Sequence, residues 1–177
     1  HLKTDGSGNL AWVTPAGGVT RASQWRLDTD LGVGNGSTWD YITANLSVAT
    51  GYGYGSIGAD FAEPSSGVFT YPETGTWLIT YVVFYAAVTE PNMMHLVIST
   101  TINDTDYNHA SEVSSSEVRA GYTGSAMCNF LFNVSSVSTH KVKFGLRRAL
   151  SAGTIFALGD GTKNETSITF LRLGDST

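Results

Sequence analysis

GVFTYPETGTWLITYVVFY, residues 67–85, decides how this chain folds. A first apolar strand over 67–71 ends at a turn in which Pro72 pre-sets its own φ and Gly75 accepts an unusual one. A much longer strand follows. A strand with one wet face alternates apolar with polar residues. Here one parity reads Trp77, Ile79, Tyr81, Val83, Tyr85 and the other reads Leu78, Thr80, Val82, Phe84. Both faces are fit for burial, so two different things must cover them.

The 177 residues suffice for one domain with a real core, since a chain of this size buries about 70% of its unfolded surface. Charged residues are 14% and the net charge is −5, against a nucleic-acid partner, whose phosphates require clustered Lys and Arg. Glycine, Ser, Thr, aromatic and β-branched residues are all plentiful, an all-β composition. No stretch is apolar for long enough to span a bilayer, so no membrane insertion is expected. The single cysteine, Cys128, excludes an internal disulfide. The chain opens at His1 rather than Met, as a processed product or excised fragment would.

Working outward from 67–85, alternation predicts strands at 22–27, 95–102, 125–134, 141–148, 153–158 and 167–173. One or two short strands are expected around 39–49, and 110–121 is weakly patterned. Leu96, Ile98, Thr100 and Ile102 share one parity; Ala126, Cys128, Phe130, Phe132 and Val134 share another; Val142, Phe144 and Leu146 a third. Residues 1–20 are rich in turn formers and read as a linker or collar from an upstream stalk, leaving 21–177 as the head domain. No window shows clean helical periodicity. Eight or more antiparallel strands fit a sandwich or jelly roll of two packed sheets.

At this point the residues resemble a family: the globular head of the complement first-component q protein, whose superfamily includes the tumour necrosis factor ligands. Phe69, Pro72, Gly75, Trp77, Thr80 and Tyr81 match its strand–turn–strand signature. TGSAMCNFLFNV, residues 123–134, is similar to a later strand, and SITFLRL, 167–173, to the closing one, with Ser167, Thr169, Phe170 and Leu173 in place. The family's Gly-Asp before the penultimate strand is absent, and Leu171 stands where a glycine is usual. The resemblance implies a tumour-necrosis-factor-like jelly roll that forms a homotrimer. It places Phe69, Trp77, Ile79, Tyr81, Val83, Tyr85, Phe130, Phe132 and Phe170 in the sandwich core. It places Leu78, Thr80, Val82 and Phe84, with Thr169 and Leu171, at the trimer interface. The alternative cover for that side is the long 28–66 segment of the same chain. LKTDGSGNLAWV, 2–13, is similar to linkers of phage tail fibres and other virion appendages.

Motifs of catalysis are missing: no HExxH, GxSxG, P-loop or CxxC occurs. No catalytic residue and no cofactor is therefore assigned. His1, His95, His109 and His140 are far apart, and His95 and His140 are expected to be surface residues. Cys128 is expected to be buried and inert. Asn103, Asp104, Asp106 and Asn108 are oxygen donors suited to calcium, as are Asp160, Asn164 and Glu165. Neither run has full calcium-loop spacing, and Asp and Asn are also default turn formers. Metal binding is thus not expected, Asp104 and Asp106 being the candidates if it occurs. GYGYG, 51–55, sets Tyr52 and Tyr54 among glycines, where exposed rings suit glycan or protein recognition.

The expected function is a non-enzymatic, trimeric tail-fibre head on a virion surface. Its partners would be itself, a host-surface glycan or protein receptor, and other virion proteins. A secreted complement-head-like ligand acting on a receptor is the first alternative. A structural decoration or connector of the virion is the second, and a carbohydrate-active β-sandwich enzyme the third.

Overall fold

The computed structural model describes residues 2–4, 6–12, 19–34, 38–90, 92–149 and 153–177. Every assigned element among them is a strand. An N-terminal hairpin, β1 (Leu2–Thr4) with β2 (Leu10–Trp12), lies inside the stretch read as a linker. The remaining strands are β3 (Arg21–Leu27), β4 (Thr29–Gly32), β5 (Asp40–Tyr41), β6 (Leu46–Val48), β7 (Phe69–Thr70), β8 (Gly75–Ala87), β9 (Met94–Thr101), β10 (Asn108–Ser114), β11 (Tyr122–Val134), β12 (Lys141–Arg148), β13 (Ile155–Asp160) and β14 (Ser167–Gly174).

They form two antiparallel sheets. The larger runs β4-β13-β8-β14-β3-β6, with β11 on the remaining edge of β8. The smaller runs β10-β9-β12-β5, and β7 also pairs β12. β8 organises the larger sheet because its thirteen residues serve several partners. β11 pairs it from end to end, Val134 opposite Gly75 and Tyr122 opposite Ala87. β14 and β13 share its other edge in succession. The turn that launches β8 needs glycine: Gly75 has φ +151, and a Cβ there would sit 2.5 Å from Arg172 Nε and 2.7 Å from the Gly174 carbonyl oxygen.

One side of β8 closes the sandwich. Trp77, Ile79, Tyr81, Val83 and Tyr85 are buried, as are Phe69, Phe132 and Phe170. Phe61, from the segment between β6 and β7, seals the aromatic cluster by stacking on Phe170 at 4.3 Å and meeting Trp77 edge-on at 5.4 Å. Phe130 is only half-buried and joins this core at its margin, packed beside Phe132 at 5.9 Å. Ile102 is 67% exposed, because β9 has already ended at Thr101.

β9 is sealed on both faces. Leu96 and Ile98 face the sandwich, while Val97, Ser99 and Thr101 on the other parity are also buried. Their cover comes from the same chain. Tyr41 lays its ring beside Gly145, where a Cβ would lie 3.1 Å from it, and shares a 3.1 Å hydrogen bond with Ser99. Lys143 lies over Tyr41 and Tyr107, at 3.9 and 4.2 Å from the ring centroids, and Arg147 lies over Trp39 at 4.7 Å. The 28–66 segment therefore does cover an outer sheet face, but on β9 rather than β8.

Candidate functional site

The outward face of the larger sheet follows from register. Leu78 on β8 has Leu131 of β11 on one flank and Leu171 of β14 on the other. Two residues on, Thr80 lies between Asn129 and Thr169, and then Val82 between Met127 and Ser167. Leu78, Thr80, Val82, Phe84, Thr169 and Leu171 are all half-buried in the single chain. Met127 and Leu131 are 53% and 57% exposed. Leu131, Leu78 and Leu171 thus make one open apolar row over β11, β8 and β14, and Met127, Val82 and Phe84 a second apolar group, with the polar row Asn129, Thr80, Thr169 between them. Exposed apolar groups gathered on one face mark an interaction surface, whereas scattered ones do not. Met127 and Leu131 were legible as the opposite parity of SAMCNFLFNV, whose inward residues draw attention first.

The same face turns polar at β3. Gln24, opposite Thr169, donates from Nε2 to Thr169 Oγ1 at 2.9 Å and accepts from Asn164 Nδ2 at 2.5 Å. Next along β3 on this side is Arg26, only 5% exposed. Its guanidinium donates to the Thr50 carbonyl and to Thr50 Oγ1, both at 3.1 Å, and lies 3.4 Å from Asp28. Arg26, Gln24 and Asn164 line a cleft of about 410 Å³ between residues 49–54 and 162–164. Tyr52 stands in its wall 90% exposed, with φ +46 between Gly51 and Gly53 at +81 and +80. Tyr54 is instead tied down: its hydroxyl accepts from the Gln24 N–H at 3.3 Å and donates to Asp60 at 3.0 Å. Burial is the main reason its hydroxyl titrates above the usual tyrosine value. The two tyrosines therefore separate, Tyr52 outward and Tyr54 structural. Arg26 was hidden because an outward arginine on a strand reads as solvated.

The calcium candidates are engaged in local structure. Asp104 pairs with Lys141 at 2.6 Å. Asp106 accepts from Asn103 Nδ2 at 2.7 Å, while Asn103 Oδ1 accepts from the Asp106 and Thr105 N–H groups. In the second run, Asp160 accepts from the Thr162 hydroxyl at 2.6 Å and its N–H at 2.7 Å, which, with Lys163 nearby, holds the carboxyl down at about 2. Asn164 turns to Gln24, and Glu165 to Lys163 at 2.5 Å. Among the described residues no three His, Cys, Asp or Glu side chains gather as a metal site would require.

Cys128 lies in the core, where burial pushes its thiol up to about 12. His140 corrects an expectation: it is buried, stacked on Phe132 at 5.6 Å and within hydrogen-bond reach of Ser135 and Thr139. His95 is half-buried beside Ser114, and burial first, then Arg147, lowers its pKa. His109 meets Trp39 edge-on at 5.3 Å.

Two antiparallel sheets with this strand order define a tumour-necrosis-factor-like jelly roll. The solved structures agree. The tumour necrosis factor Eiger from S. frugiperda aligns over 88% of this chain and 94% of its own, with TM-score 0.59 and 14% identity. Murine APRIL aligns over 86% of this chain and 98% of its own, with TM-score 0.58 and 14% identity. At that identity the likeness is one of fold. No protein-family model and no curated protein matches the sequence. No helix among the described residues is long and apolar enough to cross a membrane.

Proposed function

We propose that this chain is a non-enzymatic recognition head that works as a homotrimer, and that it forms the host-contacting tip of a virion appendage such as a tail fibre. The observation that carries the reading is the asymmetry of β8. One side is sealed by the chain itself, and on the other Leu78, Val82 and Phe84 are left partly open beside the exposed Met127 and Leu131 of β11. In a homo-oligomer with closed symmetry, copies of the chain supply the missing cover. Three copies would also present three equivalent sites, so that weak single contacts add through avidity. The similarity of residues 2–13 to fibre linkers supports the appendage reading over a secreted ligand acting on a receptor.

The test uses the purified chain, fluorescently labelled, on candidate host cells, with its mass measured by light scattering in the same buffer. The expected result is a three-chain mass and saturable labelling. A particle of one chain's mass at micromolar concentration sinks the trimer. A trimer that labels no cell and co-purifies with capsid proteins replaces attachment with a structural role in the particle.

A further inference from the structure

The cleft beside Tyr52 combines features that the fold does not use. A tyrosine at φ +46 is strained, and outliers of this kind concentrate at functional sites. Here the strain holds a large ring in water, 90% exposed, where it contributes no core packing. Beside it lies Arg26, a charged side chain almost wholly removed from solvent yet lining an open cavity. A guanidinium has five N–H donors, and three contacts with Thr50 and Asp28 leave others available. The Gln24–Asn164 amide pair adds the Asn164 carbonyl oxygen and further N–H groups beyond the bond that joins them.

The electrostatics select among ligands. Arg26 already faces Asp28, and Lys163 lies between Asp160 and Glu165, at 3.5 and 2.5 Å. Both cations that line the cleft, Arg26 and Lys163, are already paired with carboxylates, so an anionic ligand gains little there. What remains is one exposed aromatic face, planar amide and guanidinium donors, and a carbonyl acceptor. A neutral sugar ring matches that set, with an apolar C–H face for Tyr52 and a belt of hydroxyls that both donate and accept. The cleft's 410 Å³ falls within the usual range for small-ligand sites.

We infer that the cleft between residues 49–54 and 162–164 binds a neutral pyranose, stacked on Tyr52 and hydrogen-bonded to Arg26, Gln24 and Asn164. The inference deepens the recognition reading above and rests on it for its biological use, not for its geometry. The experiment is saturation-transfer NMR on the purified chain with methyl glycosides of glucose, galactose, mannose and N-acetylglucosamine, and with methyl glucuronide as the charged comparison. Transfer to the ring C–H protons of at least one neutral sugar is expected. Tyr52→Ala should weaken that sugar at least tenfold and Tyr52→Phe should retain it, with oligomeric mass and melting temperature unchanged in both. Asn164→Ala, away from the strained turn, should weaken it as well. The inference fails if no neutral sugar shows transfer at millimolar concentration, if glucuronide is preferred, or if Tyr52→Ala binds as well as the parent. It also fails if Tyr52→Ala lowers the oligomeric mass, which would make Tyr52 a contact between copies. A one-chain particle that still binds sugar keeps this inference and removes the trimer; a trimer that binds none does the reverse.

Discussion

Val82→Asp places a carboxylate at the centre of the open face. Its flanking residues are Met127 and Ser167, so in the single chain the new group stays in water beside polar and exposed neighbours. The cost to the fold is that of an unfavourable strand residue, about 1 kcal/mol or less. The cost to an assembly is larger. Each copy forfeits the second half of a valine's burial, about 1 kcal/mol. Each also buries a charge without a partner, which costs several kcal/mol after relaxation. Over three copies this reaches on the order of 10 kcal/mol, or about seven decades in the assembly constant. A trimer's midpoint concentration moves as the square root of that constant, so about three to four decades, from nanomolar to above micromolar for a tight assembly.

The assay is sedimentation velocity at micromolar concentration and below, with circular dichroism to confirm the β fold. The parent should sediment as three chains of 18.8 kDa and Val82→Asp as one. Val82→Lys moves the net charge from −5 to −4 rather than to −6, and should dissociate the trimer equally, which separates desolvation from general repulsion. Val137→Asp, in the exposed turn between β11 and β12, should leave the mass unchanged. If Val82→Asp misfolds, Met127→Asp at the more exposed neighbouring position makes the same test. A parent of one-chain mass, or a Val82→Asp variant that keeps three, refutes the reasoning.

Tyr81 buries a hydroxyl that finds no partner among the described residues, so Tyr81→Phe should raise stability by about 1–2 kcal/mol in a denaturant titration; a loss would mean the hydroxyl is satisfied. Gly75→Ala should lower stability by about 1–3 kcal/mol on the same measurement, and an unchanged midpoint would show that the β8 turn tolerates a Cβ. Cys128, its thiol held near 12 by burial, should resist Ellman's reagent at pH 8 in the native state and react fully on unfolding; rapid native labelling would place it at the surface. His95 has its pKa lowered on folding, so the unfolded chain binds the proton more readily. Its contribution is complete above the unfolded value near 6.5 and is lost as pH falls towards the folded one. His95→Gln should flatten that part of the stability curve, and an unaltered slope would exclude His95 as its source.

The sandwich was legible because strand alternation is local: Trp77 to Tyr85, Ala126 to Val134 and Val142 to Leu146 declare their inward sides without knowledge of any partner. Strand ends were less so. β7 shrinks to Phe69–Thr70, and β4 went unseen because its exposed Thr29 and Asp30 carry no apolar pattern. Long-range cover was not legible at all. Nothing around Val97 or Ser99 announces that Tyr41 and Tyr107 will roof them, since the rings arrive from segments on either side in sequence. Tyr52 and Tyr54 look alike in GYGYG, and only the distant Asp60 and Gln24, by holding one hydroxyl, make them different.

The contrast between β8 and β9 sharpens the case for assembly. Both strands are apolar on two sides, and this chain closes the second side of one. It does so with amphipathic groups: tyrosine, tryptophan, and lysine and arginine stems whose charged ends remain near water. Such a roof suits a face that ends at solvent. On β8 the outward residues are Leu78, Thr80, Val82 and Phe84, beside Met127 and Leu131, and among the described residues no cation lies over an aromatic ring of this face as on β9. A face on which apolar side chains flank one short polar row suits an interface between chains. The chain thus finishes one face for solvent and leaves the other open, which is the face that the proposed trimer would cover with further copies of the same chain.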